Sequence, residues 1–289
     1  MKKTNFIFAL ILLLCIISSC KNHSDTNTKK IDSYNRIISL SPHITEFIYA
    51  IGEGDKLIAR TNFCNYPTEA KKLPVIGDAL KLNVELLLSL KPDIVLLLEY
   101  QTNHIEICKK YHINYIAVLD NRIDEILNGY NTILNKVFRN NKKGITLINQ
   151  LKEITHKNRI DIANKLNVLV IVDHYPLKLN GIFAVGSNNW MNDLIEISGA
   201  SNVLKTNPLQ YPQISIEEII NYNPDIIIDL LINKTLNEKE KLIYKELWSS
   251  LNMVNAVANN KIFTYHDQYF SIPGPRLAFI IKEWSKIFH

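Results

Sequence analysis

The residues of this 289-residue chain best suited to chemistry cluster just after short runs of Ile, Val and Leu. Ser41 and His43 follow the run ending at Leu40, and Asn62, Phe63 and Tyr66 follow Leu57 to Arg60. Glu99 and Tyr100 follow Ile94 to Leu98, and His174 and Tyr175 follow Asn167 to Val172. His266, Asp267, Tyr269 and Phe270 follow Lys261 to Tyr265. Apolar runs without alternation predict strands buried on both faces, as in a parallel sheet. Open parallel sheets bind ligands beyond the carboxyl ends of their strands. The set is rich in rings, with a few hydrogen-bonding and metal-capable groups, and so suits a large, flat, partly apolar ligand. Core packing explains any single ring equally well; the expectation rests on the set.

Other chemistries find little here. The histidines show no HxxxH or HxH spacing, so no metal site of the protein's own is predicted. One His or Tyr would still suffice as an axial contact to a metal already held in a macrocycle. No GxSxG, Walker glycine loop or GxGxxG occurs, and no catalytic residue is predicted. Asp93 and Asp225 follow prolines at strand starts, opposite the ligand-facing ends, where capping of exposed backbone donors is the better role. Glu85 and Glu217 admit two roles. An acid in a first helical turn is favoured by the macrodipole, but two such acids at matching corners would also make a pair of docking points.

The elements that position these residues repeat. NVELLLSLKPDIVLLL starts at Asn83 and SIEEIINYNPDIIIDL at Ser215, with Glu85/Glu217, Pro92/Pro224 and Asp93/Asp225 all 132 positions apart. Each copy reads as an N-capped helix, broken at proline, then a buried strand. Helices are further predicted from Ile44, over Thr102 to Tyr111, Asn189 to Ser198, Glu238 to Trp248 and Leu277 to Phe288. The repeat and the βαβ pattern predict an α/β protein of two Rossmann-like lobes, 36–122 and 167–289. Between them, 123–166 reads as connecting helices. The second of these, Lys142 to Leu166, would be about 35 Å long and would span from lobe to lobe as a stiff backbone helix beside the ligand cleft.

Lys2 and Lys3 precede an apolar run from Phe6 to Ile17 that is short for a bilayer span but fits a signal-peptide core. Ile17-Ser18-Ser19-Cys20 resembles the bacterial lipobox, which implies removal of 1–19 and a lipid on Cys20. Residues 20–35 read as a polar tether, and the chain is expected at the cell envelope, anchored to a membrane and facing the periplasm or exterior. Of the formal charge of +5, two units sit on Lys2 and Lys3, and the remaining lysines form no basic block. Nucleic-acid binding is excluded on that ground. Cys64 and Cys108 are expected to be free thiols.

RIISLSPHITEFIYAIG at Arg36, the run on to LKPDIVLL, then GSNNWMNDLIEISGASNVL, YPQISIEEIINYNPDIII and PGPRL resemble the helical-backbone solute-binding proteins of ABC importers for vitamin B12, haem and iron-siderophores. The resemblance covers nearly all of the chain after the tether. It implies a monomer without a cofactor of its own, little hinge motion, and a metal-chelate ligand held between the lobes. It also implies that Glu85 and Glu217 meet arginines of a permease dimer, where charge-assisted pairs would set orientation and encounter rate.

The pattern is nearest to the B12-binding members: Tyr211 lies in the segment where they place a ring over the corrin, and Phe63 and Tyr66 stand where they carry aromatics. Ala79 departs from it, because that pattern has tryptophan there, and haem and siderophore stay open. No arginine cluster suits a carboxylate-rich siderophore. The implied ligand set is Phe63, Tyr66, Tyr100, Tyr175, Tyr211 and Tyr269 as aromatic walls, with His174, His266 and Asp267 as polar contacts. The alternatives are a zinc- or manganese-binding receptor and an envelope metal-dependent hydrolase.

Overall fold

The unalternating runs form two separate sheets in the computed structural model, which describes residues 33–157, 165–175, 177–234 and 236–289. Strands β1 (Ile37–Ser39), β2 (Leu57–Arg60), β3 (Ile94–Leu98) and β4 (Tyr115–Val118) pair in the order β2-β1-β3-β4, parallel throughout. The second sheet contains β5 (Asn167–Asp173), β6 (Ile182–Ala184), β7 (Ser201–Asn202), β8 (Gln213–Ile214), β9 (Ile226–Leu230) and β10 (Ile262–Tyr265). Its path is β10-β9-β5-β6-β8, with β7 beside β5. The β10, β9 and β5 strands are mutually parallel, whereas β6 and β8 add antiparallel pairings. That antiparallel edge is the part the sequence does not announce, because two- and three-residue strands are too short to show a period.

The helices are α1 (Pro42–Ala50), α2 (Val84–Leu90), α3 (Thr102–Lys110), α4 (Ile123–Val137), α5 (Lys142–Lys157), α6 (Trp190–Ile197), α7 (Ile216–Tyr222), α8 (Glu238–Ser249), α9 (Asn255–Ala258) and α10 (Leu277–Phe288). Among the described residues, no helix is long and apolar enough to cross a membrane. The cysteine expectation is met: Cys64 and Cys108 are both free and buried. The signal peptide, Cys20 and most of the tether fall outside the described residues, as do Ile160 and Ile162 of the long connecting helix.

The internal repeat is physical as well as textual. Asn83 Oδ1 accepts the N–H of Leu86 at 2.9 Å to cap α2, and Ser215 caps α7 in a reciprocal pair with Glu218, at 3.2 and 2.8 Å. Both helices stop at a left-handed residue, Lys91 (φ 45) and Asn223 (φ 43), directly before the proline region. Asp93 Oδ2 then accepts the N–H groups of Asn35 and Arg36 at 2.9 Å each, and Asp225 Oδ2 accepts that of Asn167 at 2.9 Å. Each aspartate thus satisfies donors at the start of the neighbouring strand, in keeping with the capping role.

One apolar core runs through both lobes. It joins Ile37, Phe47, Leu96 and Ile126 to Val168, Ile195 and Trp284 without a break, while two smaller clusters serve one lobe each. Between the lobes, α4 buries Ile123, Ile126, Leu127, Tyr130, Ile133, Leu134 and Val137 along one face.

Two polar ties reinforce the shared core. The guanidinium of Arg122 pairs with the Asp193 carboxylate, Nε lying 2.9 and 3.0 Å from its two oxygens, and Asp193 also accepts the N–H of Ile123 at 2.9 Å. Glu46 on α1 takes a bidentate pair from Arg276 at 2.9 and 2.6 Å, before α10. Gly274 makes that approach possible, since a Cβ there would stand 2.6 Å from the Glu46 carboxylate. A continuous core with ion pairs across it resists hinge opening, because opening would expose apolar surface and unpair buried charge.

Candidate ligand-binding cleft

A cavity of about 230 Å³ opens between the carboxyl ends of the first sheet's strands and loops of the second lobe. Ser41 and His43 reach it from the end of β1 and the start of α1, Phe63 from the turn after β2, Tyr100 from the end of β3, and Asp120 from the end of β4. The opposite wall is Trp190 at the start of α6, Tyr211 before β8, and the turn Ser271 to Pro273. Pro42 begins α1 at the first helical position, where a missing N–H costs nothing. Asn189 caps α6 through Met191 N–H at 2.9 Å and donates to Gln210 O at 3.2 Å, which fixes Trp190 beside Tyr211. Gln101 holds the strand tips in register, accepting from Leu98 N–H at 2.8 Å and donating to Leu40 O at 3.2 Å.

The cavity has a ringed rim and a polar floor. Phe63, Tyr100 and Tyr211 are 51%, 62% and 42% exposed, whereas Trp190, Ser41 and His43 are buried. Its volume lies below the ~300 Å³ at which typical drug-sized pockets begin. A large flat ligand would therefore lie across the rim rings and put only an edge or a side arm inside. No lysine or arginine lines the cavity, and Asp120 is its one acid. Burial, with the charge of Glu125 added, pushes the Asp120 carboxyl up to about 6. Burial pulls His43 down to about 3, so that its ring is neutral at physiological pH.

The sequence-predicted residues divide. Phe63, Tyr100 and Tyr211 line the cleft. Tyr66 and Tyr269 gather instead on Arg276, whose guanidinium carbon stands 3.9 and 5.3 Å from their ring centres. They adjoin the cleft through Gln268, which donates to Phe63 O at 3.2 Å from the same turn as Tyr269. Asp267 begins that turn and does not line the cavity. Tyr175 leans over Gly181, where a Cβ would meet its ring at 2.6 Å, and is likewise outside the cavity lining. His266 belongs to a different, largely apolar groove of about 610 Å³ between α8 and β10, and its Nδ1 faces Lys234 O at 2.7 Å.

His174 does not line the cavity. It is buried inside the second lobe, with Nε2 3.0 Å from Asp229 Oδ2 and Nδ1 2.8 and 3.1 Å from the carbonyls of Tyr175 and Lys178. Acceptors on both sides require both nitrogens to donate, which makes the ring an imidazolium paired with Asp229. Tyr244 donates to the same carboxylate oxygen at 2.6 Å. Burial opposes the charged ring more strongly than any other single influence. The Asp229 bond and charge with the two carbonyls together outweigh it, and His174 stays above its ordinary 6.5.

The pair therefore contributes stability that is fully present below pH 6.5 and is lost as pH rises through the elevated value. Thermal unfolding from pH 6 to 9 should show wild-type Tm falling faster with pH than that of His174→Gln. Parallel slopes would refute the imidazolium assignment.

Asp120 and Trp190 are the cleft residues the sequence reading passes over. Asp120 follows the apolar run Tyr115 to Leu119, so the rule that selects Tyr100 would also have selected it. Trp190 opens a helix, and no strand-tip rule reaches it.

A two-lobed α/β fold with a ring-lined gap between the lobes suits the binding of a small solute. The chain belongs to the periplasmic binding protein family, whose profile matches residues 37–269. This is a family of solute-binding proteins and not of enzymes. A vitamin B12-binding protein of Vibrio cholerae is 24% identical over 252 residues, covering 86% of this chain and 87% of its own. An uncharacterized ABC transporter substrate-binding lipoprotein of Bacillus subtilis, YvrC, is 28% identical and covers 99% of this chain and 97% of its own. Among solved structures, the periplasmic vitamin B12 binding protein BtuF of Vibrio cholerae superposes with a TM-score of 0.74 at 21% identity, over 88% of this chain and 96% of that one. A possible iron-binding periplasmic protein of Staphylococcus epidermidis gives 0.72 at 27%, over 89% and 99%.

Proposed function

We propose that this chain is the substrate-binding lipoprotein of an ABC importer, which captures a metal chelate and hands it to a permease. A cobalamin-type ligand comes first, and haem or a ferric siderophore second. The observation that carries this reading is the exposed rim of Phe63, Tyr100 and Tyr211 over a cavity of about 230 Å³, too small to enclose a macrocycle. The names of the B12-binding and substrate-binding lipoprotein relatives support it. The lipid is assigned to Cys20, which would hold a soluble, monomeric domain against the membrane. Permease docking is assigned to Glu85 and Glu217, both exposed, in equivalent first turns of α2 and α7. The zinc or manganese receptor and the hydrolase lack support, since among the described residues no group of three or more His, Cys, Asp or Glu is placed to hold a metal ion.

Protein lacking residues 1–20, titrated with cyanocobalamin, hemin and ferric siderophores, tests the reading. Trp190 lines the cleft whereas Trp248 and Trp284 do not, so binding should quench the fluorescence of Trp190. Trp190→Phe should remove most of the quenching while calorimetric heat persists. Silence in both measurements with all three ligands would defeat the reading.

A further inference from the structure

The floor of the cleft holds polar atoms that the fold leaves unused. Ser41 and His43 line the cavity and are 1% and 2% exposed, and their Oγ and Nε2 atoms are buried with no hydrogen-bond partner. Asp120 Oδ2 stands 4.0 Å from His43 Nε2, too far for a bond between them. Leaving such groups unpaired is costly, and native interiors rarely do so without a reason.

The tautomer of His43 follows from its neighbours. Tyr130 Oη has one proton and lies 3.1 Å from Pro273 O and 3.4 Å from His43 O, both of which can only accept. With its proton directed to a carbonyl, the phenol accepts from His43 Nδ1 at 3.3 Å. In that tautomer Nε2 carries the bare lone pair, buried at the cavity floor 4.0 Å from Asp120 Oδ2.

We propose that His43 Nε2 and the Asp120 carboxylate, with Ser41 Oγ beside them, form a seat for an uncharged or cationic N–H donor arm of the ligand, such as a primary amide, and reject a carboxylate arm. This rests on the chelate-binding reading and narrows it. Two acceptors about 4 Å apart match the two hydrogens of one –NH2 group, each bond close to 2.9 Å. No cation lines the cavity to receive an anionic arm, and the nearby Arg276 is already paired with Glu46. With two metal-capable side chains rather than three, the seat is not a metal site.

Protonation sets the pH range of the discrimination. The groups facing Asp120 are His43, Glu125, Tyr100, Tyr130 and Tyr211. The three phenols are held above their ordinary range by desolvation, with the charge of Asp120 adding to it, and His43 is neutral. As pH falls through about 6, Asp120 takes up a proton and the seat loses its negative charge.

The test compares cyanocobalamin, whose ring carries amide arms, with hemin, whose arms are carboxylates, by calorimetry on protein lacking residues 1–20. At pH 7.5 the wild type should bind cyanocobalamin at least about tenfold more tightly than hemin. That preference should shrink at pH 5, and Asp120→Asn should lower it at pH 7.5 and leave it flat with pH. The wild-type pH profile needs no variant. Tighter binding of hemin at pH 7.5, or a preference indifferent to both pH and Asp120→Asn, overturns the seat and leaves the importer reading standing. Binding of neither ligand overturns the seat, and the broader reading then stands or falls on the siderophore titration.

Discussion

Glu46→Ala should lower the free energy of unfolding by about 3 kcal/mol, the cost of leaving a mostly buried charge without its partner. Glu46 and Arg276 are 2% and 17% exposed at their side chains and tie α1 to the segment before α10. The pair is not itself a source of net stability. Burial dominates over Arg276 in setting the Glu46 carboxyl, which sits above its ordinary 4.5. Replacing both residues with apolar ones of similar size, Glu46→Leu with Arg276→Met, should therefore cost less than either truncation alone. Arg276→Ala has a further signature. It strands a buried carboxylate that can escape by protonation, so the folded form gains protons and the variant should recover stability as pH is lowered. Glu46→Ala leaves a guanidinium that cannot neutralise and should not recover. Urea unfolding of the three variants at pH 7.5 and 5 checks this, and equal, pH-independent losses for both single variants would defeat it.

If the proposed docking holds, reversing both charges, Glu85→Lys with Glu217→Lys, should abolish uptake while ligand affinity stays unchanged. Each lost Arg–carboxylate pair is worth roughly 1.5–3 kcal/mol, and apposed like charges add several more, so two sites together remove the complex. Neither side chain has a hydrogen bond or ion pair among the described residues, and neither lines the cleft. Each does lose a favourable place near a helix N-terminus, worth about 0.3–1 kcal/mol, so a small drop in Tm is expected. Uptake in a strain lacking the native gene, measured beside calorimetry on the purified variant, decides the matter. Normal uptake would return both glutamates to a purely helical role.

Much of the architecture was legible because it depends on local physics. Pro92 and Pro224 end helices through their own rings, and Asn83 and Ser215 start them through their own side chains, so the repeat could be read without a partner in view. Strand length and buried character follow from Ile94 to Leu98 and Ile226 to Leu230 themselves. The cleft was legible only in outline. The strand-tip rule names Phe63 and Tyr100, the resemblance names Tyr211, and all three line the cavity. The rule fails for His174 and His266, because strand ends of the second sheet also meet α8. His174 shows how it fails: the residue that faces it, Asp229, lies 55 positions away, the one polar residue in a strand otherwise of Ile and Leu.

The chain by itself therefore determined two α/β halves, their capped and proline-broken elements, and the pool of rings from which a binding surface is drawn. Those features arise from backbone sterics, capping and burial, and act over a few residues. Tertiary structure alone decided which side chains share the gap. It gave His174 to an ion pair, left His43 Nε2 and Ser41 Oγ unpartnered near Asp120, and joined the halves through a common core and the Glu46–Arg276 tie. These outcomes depend on distances between residues far apart in sequence, and on the desolvation each group meets once those contacts close.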